Sequence, residues 1–173
     1  CREGEFSPGF WKGGPSTVRV TVITISDRAA AGEYKDRSGP EIEKILLGVV
    51  PAISVKRLVV PDKKEPITEA FQANLDADFI LTTGGTGLAP RDITPEVTRE
   101  YCERPLPGIA EFLRFESLKE TQNAVLSRGS AGIKDKTIIV NFPGSVKAVR
   151  LCTNLLIPIM EHAVEMLHGG DHA

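Results

Sequence analysis

The sequence predicts an α/β protein, a sandwich of helices packed on a mostly parallel sheet. Two observations carry that expectation. Short runs dense in β-branched residues recur without the alternation of a half-exposed strand, as in VRVTVITIS, Val18 to Ser26. Such runs suit strands buried on both faces. Between them lie segments with apolar residues at helical spacing, and strands alternating with helices in this way argue for a parallel sheet. The chain of 173 residues, 41% hydrophobic and 25% charged, suggests one domain with a single well-buried core.

Residues 1–17, CREGEFSPGFWKGGPST, show no apolar periodicity and no starting Met. They are expected to form a flexible arm, a processed leader remnant or an expression scar, with Phe10 and Trp11 free to dock. Residues 18–173 are expected to form the single domain. After the first strand, DRAAAGEYKDR reads as a loop. SGPEIEKILLGVV follows with Ser38 and Glu41 at capping-box spacing and Ile42, Ile45, Leu46 and Val49 on one helical face. SVKRLVV, Ser54 to Val60, is the second strand, and PITEAFQANL the next helix. DFILTT, Asp78 to Thr83, is a third strand that runs directly into glycines. Thr94 is placed to cap the following helix, with Pro95 at its first position and Glu96 suited to the helix dipole. That helix should stop before Pro105-Leu106-Pro107, and GIAEFLRFESL starts another. AVLSRGSAGIKDKTIIVNFPGS reads as a strand and turn leading to a buried strand, Thr137 to Asn141. Ser145 then opens a long helix that Pro158 should kink.

Composition narrows the function classes. A formal net charge of −2 argues against a nucleic-acid binder, which needs a strongly basic face. No apolar run approaches the roughly 20 residues that span a bilayer. Cys1, Cys102 and Cys152 lie far apart without CxxC spacing, which disfavours a disulfide framework or zinc site and fits a reducing cytosol. His162, His168 and His172 read as a solvated helix end and tail.

Ligands bind open α/β sheets outside the carboxyl ends of the strands. The expected strand ends carry Ser26-Asp27, Pro61-Asp62, Gly84 to Asp92 and Asn141 to Ser145, a convergence of Gly, Asp and Ser at one end of the sheet. In LTTGGTGLAPRDITPE, glycines at Gly84, Gly85 and Gly87 around Thr86 could turn successive N–H groups toward an anion. The stretch matches neither GxxxxGK[ST] nor GxGxxG, so by itself it is either a turn or a phosphate cradle. Asp62 and Asp92 could share a magnesium ion completed by water and substrate phosphates, or each could cap a turn. NFPGS offers a second anion-binding helix start at Ser145 or a plain strand-to-helix connection. Arg128 could contact a phosphate or carboxylate or lie on the surface.

Taken in order, TISDRAAAGEYKDRSGP, VVPD, LTTGGTGLAPRDITPE, LSRGSAGI and NFPGS resemble the molybdopterin adenylyltransferases, the MogA-type proteins that include the G domain of gephyrin and its plant counterpart. The similarity runs from about Val18 to about Leu167. Phe142 and Leu88 depart from the residues usual at their positions, and neither change removes a polar group. The resemblance implies a three-layer α/β/α sandwich of MogA/MoaB type, usually a homotrimer. It also implies Mg-dependent transfer of AMP from ATP to molybdopterin, with release of pyrophosphate. Mapped onto this chain, Asp62 and Asp92 are the catalytic, magnesium-holding carboxylates. Gly84, Gly85, Thr86 and Gly87, with Asn141, Pro143, Gly144 and Ser145, form the substrate and nucleotide loops; Ser26, Asp27 and Arg128 join the candidate binding set on the strand-end and charge arguments given above. The implied setting is cytoplasmic, with molybdopterin and ATP as ligands and a downstream metal-insertion protein or domain as partner. A non-catalytic pterin-binding or trimeric scaffold protein of the same fold is the alternative.

Overall fold

Thr24, Val59, Thr83 and Phe142 come from four distant parts of the chain, yet they stand on neighbouring rungs of one sheet. The computed structural model describes residues 17–170; residues 1–16 of the expected N-terminal arm, Phe10 and Trp11 among them, and His172 lie outside that range. The strands are β1 (Val18–Ile25), β2 (Ile53–Val60), β3 (Phe79–Thr83), β4 (Arg104–Pro105), β5 (Ala131–Lys134) and β6 (Thr137–Phe142), in the order β2-β1-β3-β6-β5-β4. Those from β2 to β6 in that order run parallel, whereas β5 and β4 add an antiparallel edge. Helices α1 (Asp27–Ala30), α2 (Ser38–Val49), α3 (Lys64–Gln72), α4 (Thr94–Tyr101), α5 (Pro107–Ser117) and α6 (Val146–Leu167) complete the fold with a 3₁₀ turn over Gln122–Leu126.

The pleat sorts the core into two layers. Val20, Val22, Phe79, Leu81, Ile138 and Val140 pack with Ile42 and Leu46 of α2, Leu113 of α5, and Leu156 and Met160 of α6. On the opposite face, Ile23, Ile80 and Ile139 pack with Ile67 and Phe71 of α3 and Val97 of α4. Alternate residues of one strand thus serve opposite faces, which requires apolar side chains at nearly every position. The result is the α/β/α sandwich. Phe142, one of the two departures noted above, is fully buried in this core, and Leu88 is exposed at a loop tip.

Several local expectations change. Ser38 is the first residue of α2 and does not cap it. The Asp36 carboxylate does so instead, accepting from the Gly39 amide at 3.1 Å and from the Thr24 hydroxyl at 2.7 Å, so the helix start is tied to β1. Thr94 likewise sits inside its helix without capping it, because its hydroxyl donates to the Gly84 carbonyl at 3.0 Å. The stretch expected to be a loop after β1 begins with α1, a single turn capped by Ser26. Ala124, Val125 and Leu126, expected to lead a strand, lie in the 3₁₀ turn, and the strand starts at Ala131. The two-residue β4 had no sequence signal, since Pro105 can join a sheet only at an edge. Pro158 lies inside α6, as the sequence reading placed it. Among the described residues, no helix is long and apolar enough to cross a membrane.

Candidate active site

The parallel register brings the ends of β1, β2, β3 and β6 to one edge, and every expected site segment leaves from there. Asp27 and Asp62 bind each other reciprocally. The Asp27 amide donates to Asp62 Oδ2 at 3.0 Å, and the Asp62 amide donates to Asp27 Oδ1 at 2.9 Å. Ser26, at the N-cap of α1, accepts from the Ala29 amide at 3.2 Å. This double clamp fixes Asp62 relative to β1 and leaves its Oδ1 with no hydrogen bond to a described residue.

That free oxygen faces the glycine loop. Gly84 and Gly85 take φ of 101° and 67°, the left-handed region that favours glycine. A Cβ on Gly85 would collide with the Thr94 hydroxyl and stand 3.1 Å from Asp62 Oδ1. Asp92 is held in the same manner. Its Oδ2 accepts from the Ala89 amide at 3.0 Å, and a Cβ on Gly87 would stand 2.8 Å from that oxygen. Two half-buried carboxylates therefore border one glycine loop, each pinned through one oxygen by a backbone amide. Burial is the main cause that lifts the Asp62 carboxyl above its ordinary value. The negative charges of Asp27 and Asp92 add to it, while the Asp27 amide and Arg91 oppose it.

The second loop joins the first. The Gly84 amide donates to the Phe142 carbonyl at 3.2 Å, and the Thr83 hydroxyl donates to the Pro143 carbonyl at 2.8 Å. Gly144 packs beside Gly84. Ser145 caps α6, its hydroxyl accepting from the Ala148 amide at 3.1 Å. A cavity of about 530 Å³ opens next to this loop, lined among others by Asn141, Pro143, Ser145, Ser127, Arg114 and Lys147.

Two expected ligand-binding side chains are engaged within the protein. Asn141 is buried; it accepts from the Ser130 amide at 3.1 Å and donates to the hydroxyls of Thr82 and Thr98 at 3.0 and 2.9 Å. Arg128 donates to the carbonyls of Gly87 and Asp92 and to the Glu96 carboxylate. Burial opposes the charge on Glu96, but the Arg128 hydrogen bond, a backbone bond and the positive charges of Arg128 and Arg99 outweigh it and lower its pKa. Sequence reading missed Thr82, Thr94, Thr98 and Glu96 as supports. Thr82 sits on β3 and the other three on α4, each ten or more residues from its partner in the chain, and no local spacing marks them.

Other reactive groups lie apart from this edge. The thiols of Cys102 and Cys152 are both pushed up to about 11 by burial, so they are protonated and poor nucleophiles at neutral pH. His168 lies 3.4 Å from Asp78, which precedes β3 at the opposite edge of the sheet. Among the described residues, no group of three or more His, Cys, Asp and Glu is arranged to hold a metal ion. Asp62 and Asp92 are hard oxygen donors whose mutual repulsion a divalent cation would relieve. They fit a magnesium ion completed by substrate phosphates and water, not one in an all-protein cage.

Residues 21–162 match the family model described as "Probable molybdopterin binding domain". A molybdopterin adenylyltransferase of Helicobacter pylori (strain J99) is 38% identical over 158 residues, covering 89% of this chain and 90% of that protein. The molybdenum cofactor synthesis protein cinnamon of Drosophila melanogaster is 41% identical over 90% of this chain, which corresponds to 26% of its own length. Among solved structures, the molybdopterin biosynthesis Mog protein of Mycobacterium ulcerans superposes with a TM-score of 0.81 at 35% identity, covering 89% of this chain and 99% of that one.

Proposed function

The chain belongs to the molybdopterin-binding domain family, and from that premise we propose that it is a molybdopterin adenylyltransferase of molybdenum-cofactor biosynthesis. In this reaction a phosphate oxygen of molybdopterin attacks the α-phosphorus of ATP. The new P–O bond gives adenylyl-molybdopterin, and the bond to the β-phosphate breaks to release pyrophosphate. The nucleophile is already anionic, so no strong general base is required, and alignment and charge neutralisation carry the chemistry. The reading is supported above all by the Asp62 and Asp92 carboxylates, each held by a backbone amide beside the same glycine loop. Asp62 and Asp92 would hold magnesium, which neutralises phosphate charge when bound.

The remaining residues divide the work. The loop from Gly84 to Gly87 provides close backbone approach for phosphates. The cavity beside Asn141 to Ser145 provides room for the pterin, with Ser145 at the positive end of a 22-residue helix. Ser26 and Asp27 act through Asp62. We extend the proposal to a homotrimer, for which the exposed Phe112, Phe115, Leu118, Val125 and Leu126 supply apolar contact surface, and to hand-over of the product to a metal-inserting protein or domain. Incubation with molybdopterin and Mg-ATP tests the activity. Adenylyl-molybdopterin and pyrophosphate should form in equal amounts; pterin binding without either product would favour a binding or scaffold role.

A further inference from the structure

Arg128 is the best-connected side chain beside the glycine loop, yet its bonds go to the protein. Its Nε donates to the Gly87 carbonyl at 2.8 Å, its Nη2 to the Asp92 carbonyl at 2.5 Å, and its Nη1 to Glu96. Its own amide donates to the Thr86 carbonyl at 2.9 Å. One planar group thus grips both ends of the segment from Gly87 to Asp92 and the first turn of α4. The Arg128 segment is itself held. Arg114 Nη1 donates to the carbonyls of Ser127 and Gly129 at 3.0 and 2.9 Å, and the Ser130 amide is bound by Asn141.

We propose that Arg128 is a positioning residue that fixes Asp92 for catalysis, and that it is not a phosphate ligand. The inference rests on the adenylyl-transfer reading given above. The Asp92 carboxylate lies on a short exposed loop whose internal ties are the bond from the Ala89 amide to Asp92 Oδ2 and the bond from the Asp92 amide to the Ala89 carbonyl. Those two bonds shape the loop but do not anchor it to the sheet. Thr94 ties the chain after the loop back to Gly84 and Gly85, and the guanidinium adds the side-chain anchor on the Gly87 to Asp92 segment itself, its rigid fork of donors reaching three acceptors in fixed directions. A lysine ammonium is a point charge and cannot reproduce that grip. Lysine would, however, preserve much of a simple attraction for phosphate, so the two roles make opposite predictions.

The test compares Arg128→Lys and Arg128→Ala with the wild type. Both variants should slow single-turnover adenylylation by roughly 10- to 100-fold, the usual effect of losing a support behind a metal-holding residue. KM for the pterin should stay within about threefold, since uniform binding is untouched, and added guanidinium ion should partly restore the Ala variant. A Lys variant that keeps the wild-type rate, or an Ala variant that raises KM for ATP with kcat unchanged, would overturn the proposal. Amide hydrogen exchange at Ala89 and Asp92 in the ligand-free protein is independent of activity. It should speed up by about tenfold or more in both variants, the mark of a lost local tie, with the core amides of β1 and β3 as protected as before. Unchanged exchange at Ala89 and Asp92 would overturn the clasp even if wild-type protein adenylylates. Faster exchange in variants of a wild type that forms no adenylyl-molybdopterin would place the failure in the proposed reaction.

Discussion

Asp62 shows at the scale of one residue how function opposes stability. Burial and the neighbouring carboxylates raise its pKa above 3.8, so the folded chain holds that proton more tightly than the unfolded one. The stability it contributes is therefore complete below pH 3.8 and is lost as pH rises through the folded value. At neutral pH the ionised group is a cost, one that the proposed metal binding would account for. Asp62→Asn keeps an acceptor for the Asp27 amide but carries no charge. It should melt at a higher temperature than the wild type at pH 7, and this advantage should vanish near pH 3. A lower melting temperature for the variant at pH 7 would show that the charge is stabilising.

At the scale of elements, the strand-end loops work because buried polar residues tie them together. Asn141 is the clearest case: a β6 side chain that joins β3 through Thr82, α4 through Thr98 and the β5 approach through Ser130. Asn141→Ala leaves three polar groups without their partner, and each buried loss costs about 1–3 kcal/mol before water or relaxation compensates. A clear drop in melting temperature is expected, with the loops most affected; a change within the error of the measurement would refute the connector role. The elements themselves were legible where local patterns dominate. Buried strands such as FILTT and amphipathic helices such as EIEKILLGVV are marked by periodicity alone, and glycine loops by composition. The capping of α2 by Asp36 and the use of Thr94 as a staple were not legible. The Asp36 cap on the Gly39 amide is local, spanning three residues, and Ser38 hides it by offering capping-box spacing of its own. The Thr94 partner, the Gly84 carbonyl, is brought near only by the folded loop. The same holds for Arg128, whose partners Gly87, Asp92 and Glu96 lie more than thirty residues away.

At the scale of the whole molecule, the parallel register is what makes a site out of separate motifs. Four strands end together, so residues from Ser26 to Ser145 meet along one edge, as the strand-end argument from sequence anticipated. The opposite requirement appears on α5 and the 3₁₀ turn, where Phe115 and Val125 are 67% and 62% exposed. A patch of this kind on a single chain suggests a covered surface. Light scattering should report about three times the 18.7 kDa chain mass, and Phe115→Asp should lower that mass toward one chain. A wild-type monomer at micromolar concentration would refute the trimer.

Two carboxylates, Asp62 and Asp92, are proposed to carry AMP transfer. The most direct test of that role is single-turnover transfer from Mg-ATP to molybdopterin by folded Asp62→Asn and Asp92→Asn proteins, with pterin affinity measured on the same samples. Each variant should be slower by roughly a hundredfold or more, the scale of losing one electrostatic contact at a reacting phosphate, while pterin affinity stays within a fewfold. Transfer at the wild-type rate by both variants would contradict the proposed site.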